Sequence, residues 1–269
     1  NFFTFIDTQN QHCEIAPRGH NKQKRNDLRQ FGLAMLVSKE YFIPLSCEVY
    51  RGNMNDSRMF REYLPGLLER FKNTGIKSND ITIVFDKGNN SETAFKEMDE
   101  AKLNFIASLS GAHHKDLLDL STDAFDEKNV GEKKVWCYKT EKILWDKKRT
   151  IIIYISDKLR KGQLSSIDKS LVEKLKELED LKDRLNLKSK VGTKKEIENK
   201  VKSIIKGEYC EKIIDYEIKK YNGKIDLKYR INQEKYEYLF KNILGKRILV
   251  TTRSGWNEKE IIEGYWGQS

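Results

Sequence analysis

The run Ile81-Thr82-Ile83-Val84-Phe85 constrains the fold more than any other stretch. It is β-branched and aromatic, and it stops abruptly at Asp86, Lys87, Gly88, Asn89 and Asn90. An apolar run of this length bounded by turn residues predicts a buried, central strand followed by a loop, which puts Asp86 at the strand's exit. Helical patterns lie on either side. Upstream, Met59, Phe60, Tyr63, Leu64, Leu67, Leu68 and Phe71 recur at helical spacing over Asp56 to Phe71, with Asp56 or Ser57 as the N-cap. Downstream, a capped helix runs from Ser91 through Phe95 and Met98, and Leu103 to Leu109 returns to a strand. Ahead of these, Phe2 to Ile6, Phe31 to Val37 and Tyr41 to Tyr50 predict a three-strand meander. The order predicts a mixed α/β fold, its five strands in one sheet and the region after Ala112 packed outside it.

After Ser110 the character changes. Val135 to Tyr138 and Thr150 to Tyr154 are short β-like runs, and Ser165 to Lys206 predicts a helical hairpin with Gly192 near its turn. Its stripe of Leu171, Leu175, Leu178, Leu181 and Leu185, answered by Ile197, Val201, Ile204 and Ile205, reads as an intramolecular packing face, since too few heptads are sustained for a coiled coil. Ile213 to Ile218 and Ile225 to Ile231 predict strands. Lys246 to Thr252 predicts another, ending in Arg253-Ser254-Gly255, before a helix begins at Trp256.

A chain of 269 residues with 38% hydrophobic content can bury one large core or two modest ones. No apolar stretch approaches the ~20 residues of a membrane span, and no secretion signal is visible, so a cytoplasmic location is expected. Against 41 acidic residues the chain sets 51 Lys and Arg, a net charge of +10 that suits a polyanionic partner, nucleic acid first. A lysine-rich composition without a binding face gives the same number. Cys13, Cys47, Cys137 and Cys210 are scattered with no CxxC pair, which predicts reduced, mostly structural thiols. His12-Cys13 with His20 lacks a fourth ligand for zinc.

A carboxylate at the end of a central strand stands where an open α/β sheet leaves a crevice for ligands. An aspartate before Gly or Asn also serves as a plain turn residue. Gly52-Asn53 and Asp56 read as a turn and helix cap, and Gly88-Asn89 as the turn after Asp86. Lys22, Lys24, Arg25 and Arg29 form a basic cluster that either contacts phosphates or solvates a face. Trp256 and Trp266 belong to core packing or to base stacking.

Four stretches carry a family likeness: NKQKRNDLRQFGLAMLV (Asn21 to Val37), PLSCEVYRGNMNDSRMF (Pro44 to Phe60), ITIVFDKGNNS (Ile81 to Ser91) and RILVTTRSGWNEKEIIEGYWGQS (Arg247 to Ser269). In this order they resemble bacterial insertion-sequence transposases of the DDE type. The resemblance implies a ribonuclease-H-like mixed sheet with flanking helices, its first part at 1–111 and its last strand and final helix at 246–269, interrupted by a mixed β and helical insertion at 112–245. It implies metal-dependent cleavage and transfer of DNA strands with Mg²⁺ or Mn²⁺, double-stranded DNA of element ends and target as partner, and a homodimer assembled on DNA. Asp86 is then the second acidic residue of the triad and a metal ligand, and Lys87 and Arg253 join the basic cluster as nucleic-acid contacts.

The first aspartate is expected just upstream of Asn1 and the glutamate beyond Ser269. Asp7 and Glu263 are nearby carboxylates outside the pattern, and Gln268 stands where the family has arginine. Opening on Asn1-Phe2-Phe3 and stopping mid-pattern, the chain reads as a piece of a longer polypeptide. A metal-dependent nuclease of the same fold, and a domesticated DNA-binding protein without catalysis, are the alternative readings.

Overall fold

The computed structural model describes residues 2–5, 13–19, 25–187, 192–207, 209–221 and 224–267. The expected meander is there: β1 (Phe2–Phe5), β2 (Arg29–Val37) and β3 (Pro44–Arg51) form an antiparallel three-stranded sheet. Its third strand starts later than expected because Ser38 to Ile43 close a loop. The Ser38 amide donates to the Ile43 carbonyl at 2.9 Å, and the Ile43 amide donates to Ser38 Oγ at 3.0 Å.

The remaining long strands are β4 (Thr82–Phe85), β5 (Asn104–Leu109), β6 (Asp126–Val130), β7 (Lys133–Leu144), β8 (Lys147–Ile155), the hairpin β9 (Ile214–Tyr221) and β10 (Lys224–Ile231), and β11 (Lys246–Thr251). Six of them make one mixed sheet in the order β4-β5-β11-β8-β7-β6. Only β4 and β5 run parallel in it. The helices are α1 (Asp56–Asn73), α2 (Glu92–Glu100), α3 (Lys115–Leu118), α4 (Asp157–Leu187), α5 (Lys194–Ile205), α6 (Cys210–Ile213), α7 (Gln233–Asn242) and α8 (Glu258–Trp266).

This mixed α/β architecture corrects two expectations. The five early strands divide between two sheets, and β4 is the edge of the larger one rather than a central strand. The region after Ala112 is also not all outside, since β6, β7 and β8 extend the sheet of β4 and β5. Apolar runs dictate burial, whereas ladder partners depend on register, and the free edge of β5 is taken by β11 from far along the chain.

Layering explains why Phe105 to Ala107 of β5 and Ile151 to Tyr154 of β8 are apolar on both faces. Ile151, Ile153, Phe105, Ala107, Ile248 and Val250 pack with Phe60, Leu64, Phe95 and Met98 from α1 and α2. Ile106, Ile152, Tyr154 and Leu249 pack on the other face with Ile261, Ile262 and Tyr265 of α8. Each such fully buried Ile, Leu or Phe contributes roughly 1.5–3 kcal/mol. The β7–β8 turn holds Trp145 and Asp146 at φ 52° and 60°, a left-handed pair suited to a two-residue hairpin. Trp145 then stacks on Phe95 with ring centroids 3.7 Å apart, clasping α2 to the sheet.

The predicted helical hairpin is α4 and α5, with α4 starting earlier than its leucine pattern. Leu171, Leu178 and Leu185 pack with Ile197, Val201 and Ile205 in a separate cluster that also takes Ile218 and Leu227 of the β9–β10 hairpin. The stripe is an intramolecular face, as expected. No helix among the described residues is long and apolar enough to cross a membrane.

Candidate active site

Asp86 leaves β4 in extended conformation, and Lys87–Asn89 form a single tight turn after it, closed by the Asn89 amide donating to the Asp86 carbonyl at 3.0 Å. Because β4 and β5 are parallel with Phe85 opposite Ala107, Ser108 comes to lie beside Asp86. Ser108 Oγ accepts from the Lys87 amide at 2.9 Å and donates to Asp86 Oδ1 at 2.5 Å. Asn90 Nδ2 donates to the Ser108 carbonyl at 2.9 Å and ties the turn to β5.

A second side-chain donor comes from α8. The Asn257–Glu260 capping box starts α8, whose Ile261 and Ile262 bury against the sheet, and the helix brings Tyr265 OH to 3.2 Å from Asp86 Oδ1. Gly264 permits the close approach, since a Cβ there would stand 2.8 Å from Ile106 Cδ1.

Both side-chain donors converge on Oδ1. Among the described residues no side chain donates to Oδ2, and Asp86 is exposed. Burial favours the neutral acid, but the hydrogen bonds from Ser108, Lys87 N–H and Tyr265, with the Lys87 charge, outweigh it and hold the carboxyl below its usual range. The Tyr265 phenol is pushed up, first by its own burial and then by the Asp86 carboxylate.

The other sequence candidates separate. Lys87 is exposed beside Asp86. Arg253, by contrast, sits at the opposite end of β4: its Nε donates to Thr82 Oγ1 at 2.9 Å, its Nη2 to the Asp80 carbonyl at 3.3 Å, and its guanidinium lies over Trp256. Four residues of strand, on the order of 13 Å, separate Thr82 from Asp86. Arg25 pairs with Asp27 through two bonds of 2.9 and 2.7 Å, and Arg29 donates to the Ala16 carbonyl at 3.2 Å. Lys22, Lys24, His12 and His20 lie outside the described residues.

The turn residues are where expected, with one change. Met54 N–H closes the turn at Gly52 and Asn53 on the Arg51 carbonyl, and a Cβ on Gly52 would stand 1.9 Å from the Gln30 carbonyl oxygen, so glycine is required by proximity. The α1 cap is Asn55, not Asp56 or Ser57, because the Arg58 amide donates to Asn55 Oδ1 at 2.8 Å. Asp56 instead accepts from Tyr50 OH at 3.1 Å and faces Gly88. Trp266 packs edge-on to Tyr154 and donates to its hydroxyl at 3.3 Å.

No group of three or more His, Cys, Asp or Glu able to hold a metal occurs among the described residues. Asp86 Oδ2 is a hard, ionised oxygen of the kind Mg²⁺ takes, but one carboxylate does not make a site. Ser108 and Asn90 were missed by sequence reasoning, and Tyr265 was read only as the start of the family's Y..R...E pattern, not as a partner of Asp86. The signal for Ser108 was a hydroxyl at an otherwise buried position of an apolar strand. No protein-family model, curated protein or solved structure matches the chain.

Proposed function

We propose that the chain is the catalytic part of a DDE-type DNA transposase, binding element-end DNA and using Asp86 as one of the acidic residues for strand cleavage and transfer. The observation that carries this is the state of Asp86: an ionised, exposed carboxylate at a strand exit with one oxygen fixed by Ser108 and Tyr265 and the other without a side-chain donor among the described residues. The four sequence stretches and the +10 charge support the same reading. The ribonuclease-H-like sheet does not carry it, since β4 and the β1–β3 meander lie in separate sheets.

Mg²⁺ or Mn²⁺ would supply, when bound, charge neutralisation on the phosphodiester and acidification of the attacking hydroxyl, and needs ligands beyond those described. The chain's own residues do two things. Ser108 and Tyr265 fix the Asp86 carboxylate in one rotamer, and unpaired basic side chains gain affinity for DNA by releasing its counterions. The test is Asp86→Asn in the full-length polypeptide. Cleavage of element-end DNA with Mg²⁺ should fall by more than a hundredfold while DNA affinity stays within about threefold. Wild-type cleavage by that variant overturns the proposal.

A further inference from the structure

We infer that Arg247, with Lys87 and Lys133, forms the rim that contacts the DNA backbone beside Asp86, and that Arg253 is not part of it. This rests on the DNA-binding reading and goes further by placing the strand's path.

Register puts Arg247 at the right end of the sheet. Ile248 pairs with Leu109, the residue after Ser108, so Arg247 at the start of β11 lies at the end where β4 and β5 finish. It pairs directly with Tyr154 of β8, and Tyr154 faces α8. Residues directly opposite across an antiparallel pair share a face, so Arg247 stands on the α8 side, where Tyr265 reaches Asp86. Two strand spacings, on the order of 10 Å, separate the Arg247 and Asp86 strands. Beyond Tyr154 the ledge continues through Trp266 to Lys133, whose ammonium lies 5.6 Å from the Trp266 ring centre.

What sets these cations apart from other exposed lysines without an ion pair is their common end of the sheet beside Asp86. Arg247, Lys87 and Lys133 are exposed and form no ion pair among the described residues. Their neighbours on β6 to β8 are paired: Lys134 with Glu127, Lys142 with Asp116, Lys148 with Glu141. The outer face of the β9–β10 hairpin sets Lys219 opposite Asp226, Lys228 opposite Glu217 and Arg230 opposite Asp215, which cancels its charge. A polyanion gains most where cations are unpaired and lie in a row, as they do from Lys87 through Arg247 to Lys133.

The test compares two triple variants of equal charge change. One is Lys87→Gln, Arg247→Gln, Lys133→Gln; the other is Lys169→Gln, Lys195→Gln, Lys224→Gln, also exposed but outside the six-stranded sheet. Duplex DNA affinity is measured by fluorescence anisotropy at several salt concentrations. The rim variant should lose at least tenfold in affinity, and its salt slope should fall by about 0.9 for each phosphate contact removed. The control should change by less than threefold, and Arg247→Lys alone should keep the wild-type slope. Equal losses in the two triples overturn the rim while leaving DNA binding intact. Absence of wild-type binding at low salt overturns the function reading itself.

Discussion

The two ends of the six-stranded sheet are built to opposite specifications. At the end where β4 begins, Arg253 spends its donors on Thr82 and Asp80, and Arg149 is buried against Asp99 with their side chains 3% and 7% exposed. At the other end one Asp86 oxygen has no side-chain donor, and among the described residues Lys87 and Arg247 form no salt bridge. Polar groups at one end are consumed by the fold, and at the other they are held in place but left available. Basic residues in β11 and its exit turn therefore cannot be treated alike, because Lys246, Arg247 and Arg253 meet different ends or faces of the sheet.

The contrast is most easily broken at the closed end. Arg149→Ala leaves the buried Asp99 carboxylate with only the Lys147 ammonium, 3.4 Å away, and should cost about 3 kcal/mol, read from urea unfolding; a loss under 1 kcal/mol would show that this end is not closed by the pair. Arg253→Ala removes two hydrogen bonds and the packing on Trp256, so about 2 kcal/mol is expected, with DNA affinity unchanged. A drop in affinity larger than threefold would return Arg253 to the proposed DNA-contacting residues.

A smaller effect, confined to alkaline pH, belongs to Lys246. Its ammonium is enclosed by the Leu118 and Leu120 carbonyls and the Phe125 ring, and burial lowers its pKa to about 8, partly opposed by Asp119. Above that value the folded state binds fewer protons here than the unfolded state does, up to the ordinary value of 10.5. Stability from this group is therefore gained as pH rises from about 8 to 10.5 and lost as pH falls through 8. Lys246→Met should remove that alkaline gain, and thermal melts of both proteins across the interval check it. The smallest effect is expected for Tyr265→Phe, which deletes the longer of the two side-chain bonds to Oδ1 and should cost about 0.5–1 kcal/mol. A larger loss than Ser108→Ala would invert the order of the two donors.

Much of the local structure was legible. The strands around Ile83 and Phe105, the helix over Met59 to Phe71 and the leucine face of α4 follow from period alone, because burial imposes that period. Asp86 at a strand exit was legible for the same reason. Sheet membership was not. Nothing in the run Ile248 to Val250 states that it will lie between β5 and β8, since pairing depends on shape and register summed over the whole sheet. For the same reason sequence reasoning chose Arg253 over Arg247: six positions along one chain cross from one end of the sheet to the other. Ser108 and Tyr265 were hidden because their partner is distant in sequence, 22 and 179 residues away.

The position of β11 has a kinetic consequence. It is the strand between β5 and β8, yet the Phe105 and Thr251 it brings together are 146 residues apart. Neither neighbour pairs with the other in its absence, so the larger sheet remains two separate pieces, β4–β5 and β6–β8, until nearly all of the described chain is available. Closing so long a loop costs entropy before any contact repays it, which makes late, slow sheet closure the expected folding step. The α4–α5 and β9–β10 elements, whose contacts are mostly local, are free to order earlier. Until β11 arrives, the apolar edges of β5 and β8 stand open, and this is the interval in which the chain is most exposed to aggregation.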